Sequence, residues 1–448
     1  MNFCSLKNAG NQYFRRVYRS ALFQAAGIYS TTNAINSAIP FLMLPILTRY
    51  LSPQDYGIVA MYGVLLGIVS AFTGLSIQGA IGRQYFERDQ IKFPKYITNC
   101  LYILIVSSIV TGIFLWCCSD VISKATDFPS SWLWAVVVVA VCQFMTLIVL
   151  TLWQVQVKPI VYGSFQILLT ITNIGITILL VVWLNMNWQG RVLAQVFTFI
   201  IFAVIAGLLL LRGNWLSRGF ESGYVKKALS FGVPLIPHTL GALVICMTGR
   251  ILITNMVGIS DTGIYTVGTE IGMAIGMLQN SFNQAWVPWL FERLKIGDVE
   301  VKQRIVKITY LYNLLILIAA LILSYVAPFL LKHLVGKEFI GASKYVLWIA
   351  LGYAFNGMYK MVAGYIFYVQ KTYILAWITF FTALLNLVLS YILIRINGPL
   401  GAAQGTMVAF LISFILTWIL SAKVYEMPWN IFKREEKSGY RTVHEFAQ

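Results

Sequence analysis

The chain has 448 residues, of which 59% are apolar and 11% charged. A soluble domain carries about 45–50% apolar and about 25% charged residues, which excludes a water-soluble globule and implies a membrane protein. Its 33 Lys and Arg against 16 Asp and Glu leave a net +17, a surplus that suits nucleic acid, lipid headgroups or membrane topology until the charges are located.

A hydrocarbon core about 30 Å thick calls for about 20 apolar residues per helix, because backbone groups in lipid must satisfy one another internally. Twelve such runs follow along the chain: 20–48, 56–82, 96–119, 128–157, 159–190, 192–211, 228–256, 262–290, 308–331, 345–370, 372–394 and 396–422. The alternating ten-residue strands of a membrane barrel do not appear. The expected fold is an all-α polytopic membrane protein with twelve transmembrane helices.

The first run follows Lys7, Arg15, Arg16 and Arg19 but is too long for a signal peptide and has no small-residue cleavage site, so it reads as a retained helix. With the N-terminus inside, 24 Lys and Arg fall on cytoplasmic segments and seven (Arg49, Lys124, Arg191, Lys332, Lys337, Lys344 and Arg395) on outer turns. This bias sets both termini in the cytoplasm and accounts for most of the +17 without nucleic acid. Cys4, Cys100, Cys117, Cys118, Cys142 and Cys246 lie mostly within apolar runs at unpaired spacings and read as packing residues. His238, His333 and His444 are scattered, and no HExxH, P-loop, GxSxG or CxxC pattern occurs.

Two tracts recur. Asp55-Tyr56-Gly57-Ile58 returns as Asp261-Thr262-Gly263-Ile264, 206 residues on, and Phe86-Glu87-Arg88 returns as Phe291-Glu292-Arg293, 205 residues on. Helix 2 therefore corresponds to helix 8. Six intervening spans, an even number, make the halves parallel repeats about an axis along the membrane normal. The expected organisation is a cytoplasmic segment 1–19, a six-helix bundle 20–211, a basic linker 212–227, a second bundle 228–422 and a cytoplasmic tail 423–448, with a cavity between the bundles. Pro40, Pro45, Pro234, Pro237 and Pro288 fall in helices 1, 7 and 8, as kinks or as residues that membrane helices merely tolerate.

Three ionisable residues lie within predicted spans: Arg250 in helix 7, Glu270 in helix 8 and Lys360 in helix 10. Each costs roughly 2.5–3.5 kcal/mol at a helix centre, so each demands a partner or a wet cavity. Arg250 and Glu270 stand ten residues either side of Ser260, about 15 Å deep, and read either as an ion pair across the helix 7 and 8 hairpin or as a working site. Lys360 has no acid in sight and suits a cavity that receives an anion, with snorkelling as its alternative. Asn280, Asn283, Gln284 and Trp286 in helix 8, with Asn356 and Tyr359 in helix 10, offer amides and rings to sugars, although interhelical bonding and interfacial belts use the same residues.

LPILTRYLSPQDYGIVAMY at 44–62, FGVPLIPHTL and GRILITNMVGISDTGIYTVG within 231–268, and NQAWVPWLFERL at 283–294 resemble bacterial polysaccharide flippases of the Wzx type, in the multidrug/oligosaccharidyl-lipid/polysaccharide exporter superfamily. The resemblance implies two six-helix bundles around a cationic cavity in the bacterial inner membrane. It also implies a flippase, not an enzyme, that carries an undecaprenyl-pyrophosphate-linked oligosaccharide repeat unit (O-antigen or a related surface polysaccharide) from the cytoplasmic to the periplasmic leaflet. Arg250 and Lys360 are then the expected sites for the anionic headgroup, and Glu270 a coupling residue or an ion-pair partner. One departure stands out: the first half contributes no intramembrane charge, so the second half is expected to carry the cationic lining. No cofactor is expected; coupling to an H⁺ or Na⁺ gradient stays open. Expected partners are the lipid-linked glycan, inner-membrane lipids, and a polysaccharide polymerase with its chain-length regulator. Two alternatives remain, a cation-coupled multidrug exporter of the same superfamily and a membrane polymerase or glycosyltransferase.

Overall fold

The computed structural model describes residue 39 and residues 41–430. Cys4, Pro40, His444, the basic residues before the first run, most of that run and the end of the tail lie outside the described residues. The helices are α1 (Phe41–Tyr50), α2 (Pro53–Phe72), α3 (Phe93–Cys117), α4 (Leu133–Val155), α5 (Pro159–Thr177), α6 (Asn187–Arg212), α7 (Ile236–Met256), α8 (Ile259–Ile296), α9 (Val299–Leu334), α10 (Ser343–Tyr368), α11 (Tyr373–Asn397) and α12 (Leu400–Val424). Each of the twelve predicted runs overlaps one of them.

Local sequence explains several boundaries. Ser52 caps α2: its hydroxyl accepts from the Asp55 amide at 3.1 Å, and the Asp55 carboxylate accepts from the Ser52 amide at 3.2 Å, with Pro53 opening the helix. The run 56–82 is not one helix, because α2 breaks at Thr73–Ser76, where Gly74, Leu75 and Ser76 have φ of 71°, 49° and 56°. The predicted seventh helix is also interrupted. A short helix Ser222–Gly232 ends in a turn Val233–Leu235 before α7 begins, so Pro234 and Pro237 sit at the break rather than within a span. Ala228 on that short helix is fully buried in a cluster with Ile97, Cys100 and Leu210, so 222–232 packs on the first half, against the expected boundaries. The Leu75 carbonyl that the α2 break turns outward rests on Gly232, where a Cβ would lie 2.2 Å from it.

Eight of the described helices are long and apolar enough to cross a membrane by length and composition: α2 to α6, α9, α11 and α12. The described part of α1 is short, and α7 is apolar mainly over Leu243–Met256. Glycines and amides dilute α8 and α10, and packing compensates, since α8 touches α2, α7, α9 and α10. Exposed Ile105, Ile109 and Ile113 on α3, and Leu311, Leu315 and Ile322 on α9, give those two helices the outward apolar faces that lipid requires. Without a hydrophobic drive between helices in lipid, small residues bring backbones together. Gly268, Gly272 and Gly276 recur every fourth residue on α8 and meet Tyr345, Ile349 and Tyr353 of α10. A Cβ at Gly272 would stand 2.5 Å from a methyl carbon of Ile349, so Gly272→Val is expected to destabilise the second half by roughly 1–3 kcal/mol. An unchanged melting temperature of the purified protein in detergent would count against this packing.

The repeat is visible in the contacts. In the first half α4 packs on α2 and α6, and α6 on α5; in the second, α10 packs on α8 and α12, and α12 on α11. The halves meet through α2 with α8 and α7, and through α1, whose Met43, Leu44 and Leu47 join a buried cluster with Val267, Ile271, Leu331 and Val346 of the second half. Where α2 and α8 begin, a Cβ on Gly57 would lie 2.1 Å from the Ile259 carbonyl oxygen, and one on Gly263 would lie 2.0 Å from the Pro53 carbonyl oxygen. Gly57 with Gly263 and Pro53 with Ile259 are each 206 residues apart, so the two contacts are one contact repeated about a two-fold axis. A second pair approximates the same symmetry, its donors 206 residues apart and its acceptors 208. Arg49 Nη2 at the end of α1 donates to the His333 carbonyl at 3.2 Å, and Asn255 Nδ2, 206 residues on at the end of α7, donates to the Ala125 carbonyl at 2.7 Å. The molecule is thus a pair of parallel-repeat bundles sealed against each other at the end carrying the α1–α2 and α7–α8 turns.

Candidate functional site

Directly beneath this seal lies a chamber of about 190 Å³, lined by Met43 and Leu47 of α1, Tyr56, Val59, Ala60 and Gly63 of α2, Arg191 of α6, Arg250 of α7, and Thr266 and Glu270 of α8. Arg250 is six residues above the end of α7, about 9 Å along the helix, so the chamber sits closer to the sealed end than the bilayer centre.

Arg250 and Glu270 do share this chamber, but the ion pair expected across their hairpin does not form among the described residues. Glu270 Oε2 instead accepts the Tyr56 hydroxyl at 2.7 Å, a bond from the first half to the second. The Nε of Arg250 is buried and has no hydrogen-bond partner among the described residues. A buried guanidinium donor left without a partner is costly unless an anion or water meets it. Glu270 lies within electrostatic reach of both Arg250 and Arg191.

Arg191 was not among the candidates. The sequence reading set it on an outer turn, with the fifth run ending at 190 and the sixth opening at 192. In the structure α5 ends at Thr177, passes through one wide turn Ile178–Trp183, and α6 opens at Asn187, so Arg191 belongs to a membrane helix. Its Nη1 donates to Asn173 Oδ1 at 2.7 Å and Thr177 Oγ1 at 2.9 Å, both on α5, which fixes the guanidinium at the chamber wall. The expectation that the first half carries no intramembrane charge is corrected. A weak signal existed: the run 159–190 is 32 residues, the longest of the twelve and longer than the 17–25 or so that a span needs, which leaves room for a turn inside it.

The other candidates lie further from the seal. Lys360 and Asn280 are brought together, the ammonium donating to the amide oxygen, but neither lines the chamber. Asn356 accepts from Gln279 Nε2 at 2.9 Å, a bond between α8 and α10. Asn283 Oδ1 is buried without a partner among the described residues, and Gln284 is exposed. Tyr359 packs beside Ala363, Ile366 and Leu375. Trp286 is 4% exposed and packs its ring against Phe282 and Trp289 in the second-half core, so the stacking face imagined for a sugar is taken up by the protein.

A larger cavity of about 710 Å³ opens in the first half, between α2, α4, α5, α6 and Leu243 of α7. It shares Gly63 and Ile39 with the chamber, so the two adjoin across these residues. Nothing in the sequence marks it, because its polar lining consists of uncharged side chains inside ordinary apolar runs.

A family model described as polysaccharide biosynthesis protein matches residues 22–294. An uncharacterised membrane protein of Haemophilus influenzae is 25% identical over 427 residues, covering 94% of this chain and the whole of that protein. Among solved structures, the lipid II flippase MurJ in an inward closed conformation is similar at a TM-score of 0.66 and 14% identity, covering 91% of this chain and 87% of that one. An inward-facing multidrug resistance transporter of the MATE family is similar at 0.59 and 14%, covering 86% and 94%. At such identity these two likenesses concern the fold.

Proposed function

The chain belongs to the polysaccharide biosynthesis protein family, and from that membership we propose that it is a flippase for a polyprenyl-pyrophosphate-linked oligosaccharide repeat unit, of O-antigen or a related surface polysaccharide. The observation that carries this reading is the chamber. Two arginines, one from each half, face a single carboxylate already bonded to Tyr56, which leaves a net positive site for a compact anion. The Arg250 Nε supplies a donor waiting for an acceptor. A chamber of about 190 Å³ is smaller than the roughly 300–1,000 Å³ of a pocket for a drug-sized ligand, but it suits a pyrophosphate.

The basic bias of the loops supports a cytoplasmic location for both termini and a sealed end facing the periplasm of the bacterial inner membrane. In this state cargo enters from the cytoplasmic side, the pyrophosphate meets Arg191 and Arg250, and the polyprenyl tail stays in lipid. Opening of the seal then releases it outward, where a polymerase with its chain-length regulator would receive it. With the inside negative, a dianion crossing the full field gains roughly 5 kcal/mol per 100 mV. The empty cationic chamber resists its own return, and protonation of Glu270, or entry of a counter-ion, is where H⁺ or Na⁺ coupling would act.

A drug-cation exporter is the weaker reading, because the chamber repels cations. The deciding experiment is reconstitution of the full chain in liposomes with extracted lipid-linked repeat units, reading lectin access to the glycan at the trans face. Arg250→Ala is expected to slow transfer at least about tenfold, the loss of a charge-assisted contact. Unchanged transfer by that variant at equal protein levels, or polymer formed by the purified protein, would overturn the proposal.

A further inference from the structure

The chamber is too small for an oligosaccharide, and the glycan residues expected on α8 and α10 are partly spent on protein contacts, so the sugar needs another site. The first-half cavity is nearly four times larger and adjoins the chamber at Gly63. No Asp, Glu, Lys or Arg lines it among the described residues; its polar groups are amides and hydroxyls, including Gln78, Gln143, Gln166 and Ser70. Two of these are unsatisfied. Gln78 Oε1 and Ser70 Oγ are buried and take no hydrogen-bond partner among the described residues, though both stand on the cavity wall.

Buried polar atoms left open cost free energy unless a ligand or water meets them. The wall is mostly apolar, with these amides and hydroxyls set into it; neutral amides offer donor and acceptor together, which matches sugar hydroxyls, whereas an anion would favour cations and a lipid tail would leave the open Gln78 and Ser70 oxygens unmet. Phe144 and Phe199 add aromatic surface to the same cavity.

We propose that this cavity is the glycan subsite, taking the neutral sugars of the cargo while the arginine chamber holds the pyrophosphate. The proposal rests on the flippase reading and divides the labour between the halves. The first half reads the sugar through uncharged hydrogen bonds, and both halves neutralise the head. Selection among repeat units then lies in α2, α4 and α5, not in the α8 and α10 residues that the sequence suggested.

The test measures binding to the full chain in detergent with two probes, bare undecaprenyl pyrophosphate and lipid-linked repeat units extracted from the native host. Gln78→Leu combined with Gln143→Leu is expected to weaken the repeat unit about tenfold or more while bare undecaprenyl pyrophosphate binds within about twofold of wild type, since a site built for hydroxyls is sensitive to lost polar partners. Ser70→Trp, which fills the cavity by bulk, is expected to do the same and carries the test if the double variant does not fold. Arg250→Ala is expected to weaken both probes. If both cavity variants bind the repeat unit as wild type does while Arg250→Ala weakens both probes, the glycan subsite is refuted and the flippase reading survives. If neither the cavity variants nor Arg250→Ala changes either probe, both fall.

Discussion

Gly263→Val is expected to lower transport by about a hundredfold, by keeping the sealed end from closing. Its Cβ would stand 2.0 Å from the Pro53 carbonyl oxygen and 2.9 Å from the Gly57 amide nitrogen. The obstacle is helix backbone, which cannot step aside as a flexible side chain can, so α2 and α8 must move apart. Overpacking of this kind costs about 1–3 kcal/mol or more, and the upper part of that range shifts a two-state equilibrium about a hundredfold. Gly57→Val meets the Ile259 carbonyl in the same way and should match it, because the contact is repeated. Gly207→Ala on α6, with nothing within 4 Å of the added carbon, should transport within about twofold of wild type. The state can be read directly with a single cysteine at Thr266, on the chamber wall, and an impermeant maleimide added from outside. Protection in the parent and labelling in Gly263→Val is the expected result; equal protection together with wild-type transport would show that the seal tolerates the added carbons.

The second large effect is expected at Arg191. Asn173 and Thr177 hold its guanidinium in place, so under the proposed function an anionic headgroup would meet it with little ordering left to do. Arg191→Ala should weaken bare undecaprenyl pyrophosphate by at least about thirtyfold, since truncating one partner of a buried charge pair costs about 2–5 kcal/mol. Arg191→Lys should fall between, because an ammonium keeps the charge but loses the planar fork that serves α5 and cargo together. Glu270→Gln should act in the opposite direction. It removes the one carboxylate of the chamber, leaves a side chain that can still accept from Tyr56, and should tighten the same ligand while slowing its release. Tighter binding by Arg191→Ala, or weaker binding by Glu270→Gln, in titrations of the full-length protein would reverse the charge argument.

Much of the architecture was legible because the physics behind it is local or periodic. Apolar length marks a span, and the 206-residue offset places Gly57 and Gly263 at matching positions. What that offset does not reveal is that the two glycines touch the opposite half, since contact across an axis has no signature along the chain. Arg250 and Glu270 were legible as costly residues in apolar runs, but their partners were not: Tyr56 reaches the carboxylate from another helix. Arg191 was missed because a charge at the edge of an apolar run looks like a loop residue, and the turn that places it on α6 is set by the structure. Trp286 shows the converse. Its type and neighbours suit a sugar, and its burial among Phe282 and Trp289 is a tertiary fact.

The break in α2 has a mechanical consequence. Leu75 and Ser76 hold left-handed backbone that costs about 1–3 kcal/mol each, so a continuous helix there would be the relaxed form. Yet the carbonyl of Leu75 bears on Gly232, the last residue of the short helix before the chain turns into α7, and Ser76 and Gln78 beside it line the first-half cavity. Straightening α2 would therefore withdraw a lever from the covalent crossing between the halves and reshape the cavity wall in the same stroke. The strain held at Leu75 and Ser76 thus bears on the first-half cavity wall and on the segment that crosses between the halves together.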